Sequence, residues 1–170
     1  MASDGRAPIL RFGADPREVR RREVERLEEL GVAFVEISPA RARPLLGRFV
    51  DEFVDPERAP ALRALLQASS PTAHALELGR WLRPDRTQRA GPVGCARWLA
   101  SGRTPARCLR FERRAYLPAL DIDLATLDDA WAGSWPGIFV SFEVGRAVVV
   151  TLDYEELRCD VRGGPATPYR

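Results

Sequence analysis

The apolar positions in the first quarter of the chain predict a strand, a helix and a second strand. Residues 7–12 (APILRF) and 32–37 (VAFVEI) are short apolar runs typical of strands. Between them, apolar residues recur at helical spacing on one side of a predicted helix: Val19, Val24, Leu27 and Leu30. Asp15 suits the N-cap, Pro16 the first helical position and Gly31 the end of that helix. This order predicts a right-handed βαβ unit with parallel strands.

The middle of the chain predicts further helices with broad apolar faces. The first begins at Ser38-Pro39, and its apolar residues recur at i, i+1, i+4, i+5 and i+8: Leu45, Leu46, Phe49, Val50 and Phe53. Asp55-Pro56 and Ser70-Pro71 begin two more helices. Residues 84–92 predict a polar loop, and residues 92–101 predict a short helix.

The last third of the chain is rich in predicted strands. Residues 107–116 (RCLRFERRAY) predict a strand, and residues 121–134 (DIDLATLDDAWAGS) predict a short helix with an acidic cap. Residues 137–144 and 147–154 are β-rich runs that flank Gly145-Arg146. A two-residue connection that begins with glycine is typical of a type II′ turn, so we expect an antiparallel hairpin here.

These elements predict an α+β fold: a mixed sheet with an N-terminal βαβ unit, a helical middle segment and a C-terminal antiparallel hairpin. The 170 residues correspond to a single globular domain, 1–170, with residues 162–170 as a loose tail. Eight apolar residues are expected in the core: Leu27, Phe34, Leu46, Phe49, Leu65, Phe139, Phe142 and Val149.

The side-chain inventory excludes several classes of enzyme. All 26 basic residues are arginine, which is typical of a GC-rich bacterial genome. Without lysine, Schiff-base chemistry, pyridoxal phosphate attachment and a P-loop are excluded. His74 is the only histidine, so the two-histidine zinc helix is excluded as well. We therefore expect no cofactor.

The cysteines and the short apolar runs indicate the cellular compartment in which the protein is expected. Cys95, Cys108 and Cys159 are widely spaced and odd in number, and the first ten residues show no secretory signal pattern. Free thiols fit a reducing compartment, so we expect a cytoplasmic protein. The longest apolar runs, such as AVVV, are far too short for a membrane span, and no membrane partner is expected.

Charge is distributed unevenly along the chain. Residues 1–78 carry 12 arginines and 13 acids, for a net charge of −1. Residues 79–114, the Arg-rich segment, carry ten arginines and two acids, for +8. Residues 115–170 carry four arginines and nine acids, for −5. Because opposite charges attract within one compact domain, we expect part of the Arg-rich segment to pair with the acidic last third.

The Arg-rich segment is the first candidate binding surface. Guanidinium groups match carboxylates and phosphates, and Trp81, Trp98 and Phe111 offer rings for base stacking. Two structural explanations compete, namely pairing with acids of the same chain and simple solvation. Residues 83, 86 and 89 are expected to point outward from the predicted loop. The candidate binding residues are Arg83, Arg86, Arg89, Arg97, Arg103, Arg107 and Arg110.

The second candidate surface is an acidic face in the last third of the chain. It comprises Asp128, Asp129, Glu155 and Glu156. Such a face suits a basic protein partner, although helix capping and solvation explain many acidic residues equally well.

Three weaker patterns resemble catalytic or metal sites. Asp121 and Asp123 have the Asp-x-Asp spacing of a Mg²⁺ site, but Asp123 also occupies a helix-cap position. Cys95 follows a glycine at a predicted helix start, where the helix dipole lowers a thiol pKa, whereas free cysteines are usually buried. Cys108 and Arg114 have the spacing of cysteine phosphatases without the glycines of a phosphate loop. We assign no catalytic or metal-binding residue.

The leading interpretation is a small cytoplasmic, non-catalytic protein-binding domain: an inhibitor, an immunity-type protein or an accessory subunit. It depends on the bipolar charge and on the small catalytic inventory. The alternative is nucleic-acid or nucleotide-phosphate binding through the Arg-rich segment 79–114, and a cysteine- or carboxylate-dependent enzyme is third. A protein partner is thus expected, and a nucleic acid is the alternative partner.

Overall fold

The computed structural model describes residues 15–67, 78–111, 118–134, 136–151 and 153–163. The predicted strand 7–12, the helix from Ser70-Pro71 and most of the predicted tail lie outside these ranges. The helices are α1 (Pro16–Glu29), α2 (Pro39–Phe53), α3 (Ala59–Gln67), α4 (Cys95–Ala100) and α5 (Asp129–Ser134). The strands are β1 (Phe34–Ile37), β2 (Thr87–Arg89), β3 (Arg107–Phe111), β4 (Ala119–Asp123), β5 (Gly137–Ser141), β6 (Arg146–Val150) and β7 (Glu156–Asp160).

The described strands form one sheet in the order β1-β4-β3-β5-β6-β7-β2. Its helices and strands confirm the α+β class. Every neighbouring pair among these strands is antiparallel. The strand 7–12, which would supply the parallel pair of the predicted βαβ unit and mixed sheet, lies outside the described residues.

Local signals place the first helices as predicted. The Asp15 carboxylate accepts a hydrogen bond from the Arg17 backbone N–H at 3.0 Å, which caps α1. The chain leaves α1 through Gly31, whose φ of +71° suits glycine. The second helix, α2, follows Ser38 directly and begins with Pro39.

Apolar side chains cover both faces of the sheet, because successive residues of each strand point to opposite sides. Helices α2 and α3 cover one face, where Phe49, Phe53 and Leu62 join the core formed by the strands. Helices α1, α4 and α5 contribute to the other face, with Leu27, Leu99 and Trp131 as their main core residues. The domain is therefore two layers of helix around one sheet.

Six of the eight expected core residues are buried: Leu27, Leu46, Phe49, Phe139, Phe142 and Val149. Phe34 and Leu65 are only half-buried, in contrast to the expectation. Phe34 belongs to β1, which has a described neighbour on one side only, and Leu65 lies on the rim of α3.

The segment 84–92 is more ordered than the predicted polar loop. A 3₁₀ turn at Pro84–Arg86 leads into β2, which pairs with β7. Its sequence, TQR, has little strand character of its own. This polar segment is a strand because its backbone pairs with that of β7. The pairing partner is distant in sequence, so the local pattern of apolar residues does not predict the strand.

The predicted hairpin between β5 and β6 is confirmed, but its turn has four residues, Phe142–Gly145, rather than two. The strands end early because Phe142 turns into the core, with its ring 6.1 Å from that of Phe53. Arg162 holds the turn by donating to the carbonyl oxygens of Phe142 and Glu143. Gly145 has a φ of +77°, which requires glycine.

The predicted helix over residues 121–134 is divided in the structure. Its first three residues complete β4, because they pair with β1 and β3. Asp123 then caps a 3₁₀ turn, Leu124–Thr126, by accepting from the Ala125 N–H at 3.0 Å. The α-helical part is limited to α5.

A buried ionic cluster connects α1 to the centre of the sheet. The Glu23 carboxylate is fully buried and lies 2.7 Å from Arg20 Nη1 and 3.2 Å from Arg110 Nη2. Arg20 also donates to the Pro118 carbonyl at 2.6 Å, and Arg110 donates to that of Pro136 at 2.9 Å. Gly137 is required beside them, because a Cβ there would lie 1.9 Å from Arg110 Nη1.

Replacing Phe49 with alanine should destabilise the domain by about 3–5 kcal/mol, because the ring is buried and stacks on Phe53 at 5.6 Å. Urea unfolding measures the change. Leu30→Ala is the control, since Leu30 is 36% exposed and its loss should cost less than about 1 kcal/mol. Equal losses for the two variants would contradict the assignment of Phe49 to the core.

Candidate functional site

Most of the candidate arginines contact their own chain. Arg89 lies 2.8 Å from Glu155, Arg103 lies 3.0 Å from Glu143 and Arg107 lies 2.8 Å from Asp121. These three pairs confirm that the Arg-rich segment meets the acidic last third. Arg110 is different, because it is fully buried and its acidic partner is Glu23 on α1.

Arg83 and Arg86 do not form the expected outward group with Arg89. Both are half-buried. Arg83 donates to the carbonyl of Asp51 at 3.1 Å, and Arg86 donates to that of Gly163 at 2.5 Å. These contacts tie the segment to α2 and to the end of β7, so they are structural. A binding role for the pair stays a prediction.

One exposed part of the Arg-rich segment is the stretch 88–93, called here the 88–93 loop, which is followed on α4 by the exposed Arg97. All six residues of the loop are exposed, and Val93 retains 42% of its accessible surface. The loop is nonetheless anchored at two points. The Ala90 N–H donates to the Glu156 carbonyl at 2.9 Å, and the Val93 carbonyl accepts from Arg158 at 2.5 Å.

Arg97 is the candidate arginine that the fold leaves available. It lies on α4, directly after the loop, and its side chain is exposed. Among the described residues, no carboxylate or carbonyl oxygen accepts a hydrogen bond from its guanidinium group. The loop and Arg97 therefore combine an apolar side chain with an available cation.

The aromatic residues of the segment are packed and do not form a stacking platform. Trp98 is half-buried, and the guanidinium carbons of Arg146 and Arg158 lie 4.8 and 5.4 Å from its ring centre. Phe111 is buried in the core, and the half-buried Trp81 packs against the same core. Guanidinium groups of the same chain thus occupy the ring that the nucleic-acid hypothesis needs for bases.

Sequence reasoning missed the roles of Arg146 and Arg158, which donate to the carbonyl oxygens of Trp98 on α4 and of Val93 in the loop, respectively. Arg146 pairs with Asp160 at 2.8 Å, and Arg158 pairs with Glu156 at 2.7 Å. A signal did exist, because β7 alternates Glu156, Arg158 and Asp160 on one face. Cross-strand pairing of such residues with Arg146 becomes visible once the register is known.

The four residues of the predicted acidic face have separate structural contacts. Asp128 accepts from the Trp131 N–H at 2.9 Å and caps α5, and Asp129 accepts from the Ala96 N–H at 2.6 Å at the start of α4. Glu155 and Glu156 pair with arginines of the same chain. Their use as one surface for a basic partner stays a prediction.

The three thiols are free and buried, as expected. Burial raises the pKa of Cys95 well above its ordinary value, and the nearby Glu156 carboxylate adds to that rise. Burial also raises the pKa of Cys108, which lies on strand β3, and raises that of Cys159 to about 11. Protonated, buried thiols are poor nucleophiles. Arg114, from the phosphatase-like spacing, lies outside the described residues.

Both carboxylates of the Asp-x-Asp pattern also make structural contacts within the chain. Asp121 pairs with Arg107, and Asp123 caps the 3₁₀ turn that follows β4. Within the described ranges, no three His, Cys, Asp or Glu side chains come together as metal ligands. The described helices also include none with the length and apolar character needed to cross a membrane.

A groove of about 420 Å³ lies between α1 and Glu36 of β1, at the opposite end of the described sheet from β2. Arginine and glutamate side chains line it on both sides, with Val24 and Pro118 as its apolar part. Its lining residues are Arg17, Arg20, Arg21, Val24, Glu25, Glu36 and Pro118.

No protein family, curated protein or solved structure matches this chain. The function is therefore inferred from the described contacts and the chemistry of the exposed residues.

Replacing Arg83 and Arg86 together with glutamine should destabilise the domain by about 1–3 kcal/mol, because two charged hydrogen bonds to backbone carbonyls are lost. Arg89→Gln is the matched control. Its ion pair is largely exposed, so its loss should cost no more than about 1 kcal/mol. The free energies of unfolding in urea are compared between the variants. A double variant as stable as the wild type would show that these contacts do not stabilise the domain.

The Cys159 thiol predicts alkaline destabilisation. Its pKa rises from 9.0 to about 11 on folding, so the folded state retains the proton more strongly. The associated stability is complete below pH 9 and is lost as pH rises through about 11, at up to about 1.4 kcal/mol per pH unit. Unfolding free energies measured across this range should fall more steeply for the wild type than for Cys159→Ala. Parallel curves would contradict the burial of this thiol.

Proposed function

We propose that this protein acts by binding another protein without catalysing a reaction, and that the 88–93 loop and Arg97 form the contact surface. The observation that carries the proposal is that all six residues of this loop are exposed while its backbone is anchored at two points. A loop held on a rigid scaffold loses little conformational entropy when it binds.

The chemistry of the surface suits a protein partner. Val93 supplies exposed apolar area, and Arg97 supplies a cation with five hydrogen-bond donors. Arginine is one of the residues that contribute most to the energy of protein interfaces. The anchor beneath the loop is itself buried, since Arg158 is 3% exposed, so the loop is supported against displacement.

The contacts of the Arg-rich segment support a protein partner over a nucleic acid. Phosphate binding requires several cations that are free to neutralise a polyanion. Here Arg103 and Arg107 face carboxylates of the same chain, and Arg110 is buried. A phosphate backbone that approached these arginines would also meet their acidic partners.

The state of the thiols and carboxylates supports a non-catalytic role. The three thiols are buried and protonated at neutral pH. Of the Asp-x-Asp carboxylates, Asp121 pairs with Arg107 and Asp123 caps a 3₁₀ turn. An inhibitor, an immunity-type protein or an accessory subunit acts through such a surface. Three free thiols suit a reducing compartment, which supports a cytoplasmic location.

The proposal predicts that Val93→Asp combined with Arg97→Glu abolishes partner binding without unfolding the domain. Immobilised wild-type protein and variants are compared for the proteins they retain from an extract of the cells that encode the chain. Arg80→Glu is the matched control, because Arg80 is an exposed arginine of the same segment outside the loop. A partner retained by the wild type and the control, and lost by the double variant, is expected.

Retention of the same proteins by the double variant would contradict the proposed surface. Fluorescence anisotropy with labelled RNA and duplex DNA, repeated at increasing salt concentration, tests the alternative. Tight binding with a steep salt dependence, lost on Arg97→Glu, would favour a nucleic-acid partner over a protein.

A further inference from the structure

The described sheet ends at β1, and some backbone groups of this strand point away from β4. Among the described strands, β1 pairs with β4 alone. The Ala33 carbonyl accepts from the Asp123 N–H at 2.9 Å, so Ala33 faces β4. Because this orientation alternates along an antiparallel strand, the N–H and C=O groups of Phe34 and Glu36 point outward. Between them, the Val35 side chain is 61% exposed.

The helix beside this edge has a reversed charge pattern. Residues 16–22 of α1 carry four arginines and one glutamate, for +3, and residues 23–29 carry four glutamates and one arginine, for −3. The helix dipole favours the opposite arrangement, with acids near the N-terminus and bases near the C-terminus. Ion pairs within α1, among them those of Glu18 with Arg21 at 2.7 Å and with Arg22 at 3.0 Å, offset part of this cost, but the two halves of the helix still carry opposite net charges.

We propose that a second copy of this chain pairs with β1, edge to edge, around a two-fold axis at Val35. Two identical strands related in this way are antiparallel, so Phe34 of each copy exchanges backbone hydrogen bonds with Glu36 of the other. The two Val35 side chains meet at the axis and cover each other. The two sheets then form one continuous sheet.

The same symmetry explains the charge pattern of α1. An axis perpendicular to the sheet places both copies of α1 on one face, running antiparallel to each other. The basic half of each helix then faces the acidic half of the other, which brings Arg17 toward Glu28 of the second copy. Arg17 and Glu28 are both exposed, and neither side chain has an ion-pair partner among the described residues.

The spacing across the axis fits long charged side chains. Helix α1 lies over β4 and β3, as shown by the contacts of Arg20 with Pro118 and of Glu23 with Arg110. The two helices are therefore separated by three strand spacings, about 14 Å, if each lies over β4, and by four, about 19 Å, if each lies midway between β4 and β3. The groove lined by Arg17, Arg21 and Glu36 occupies this gap in each copy. Arginine and glutamate side chains reach into it from both helices.

This contact is independent of the proposed function. The 88–93 loop begins with the last two residues of β2, at the other edge of the described sheet from β1. A dimer formed through β1 therefore leaves both loops available and presents two copies of the partner-binding surface.

Sedimentation equilibrium of the full chain over a range of concentrations and salt tests the proposal. The wild type should be a dimer that weakens at high salt. Glu36→Pro should be monomeric and folded, because it removes an outward N–H and leaves the ladder with β4 intact. Arg17→Glu should raise the dimer dissociation constant about tenfold, since two symmetry-related pairs are lost.

The charge swap Arg17→Glu with Glu28→Arg is the decisive control. It should restore the dimer, whereas a loss of folding would lower dimerisation in both variants. Arg17→Glu also places an acid near the helix N-terminus, so the stability of the monomer, measured at concentrations where both the wild type and the variant are monomeric, should not decrease. A wild-type chain that stays monomeric at NMR concentrations would overturn the proposal. So would a dimer that tolerates Glu36→Pro, or dimerisation seen only after removal of residues 1–14, because that segment would then occupy the edge.

Discussion

The arrangement of α1 on the sheet depends on one buried carboxylate, that of Glu23. Burying a charge costs several kcal/mol unless oppositely charged groups and hydrogen bonds compensate for the lost water. Arg20 and Arg110 supply that compensation, and each also donates to a backbone carbonyl, at Pro118 and Pro136. These contacts reach across α1, β3, the start of β4 and the start of β5. The cluster therefore sets where the helix lies, and Gly137 leaves the space it needs.

The same chemistry recurs across the domain, where arginine side chains join distant segments by donating to backbone carbonyls. Arg58 reaches Arg80, Arg83 reaches Asp51 and Arg158 reaches Val93. A guanidinium group has five donors in a planar array, so it can bind a carboxylate and a carbonyl at once. A lysine-free chain rich in arginine can therefore use its basic residues as internal connections. This use explains why so strongly basic a segment leaves so little free positive charge on the surface.

After this internal pairing, Arg97 is an exposed arginine whose guanidinium group has no acceptor among the described residues. The guanidinium groups of Arg146 and Arg158 contact the Trp98 ring next to the 88–93 loop. The carboxylates of Asp160 and Glu156 pair with these two guanidinium groups. The loop is exposed but anchored. At the other edge of the described sheet, β1 and α1 form a second surface, where the outward backbone groups of β1 have no partner among the described strands and the charge pattern of α1 is reversed. The two edges thus differ in chemistry, since one offers side chains and the other offers backbone pairing.

Local sequence signals determined much of the architecture. Asp15, Pro16 and Gly31 bound α1, because caps and helix ends depend on residues within one turn of each other. The apolar face of α2, the β5–β6 hairpin and the burial of the cysteines follow from periodicity and residue type in the same way. Only the tertiary structure decided that the polar segment TQR is a strand, that Arg110 is buried and that Asp129 caps α4. Each of these depends on a partner distant in sequence, and residue type alone does not specify which carboxylate or carbonyl a guanidinium group will meet.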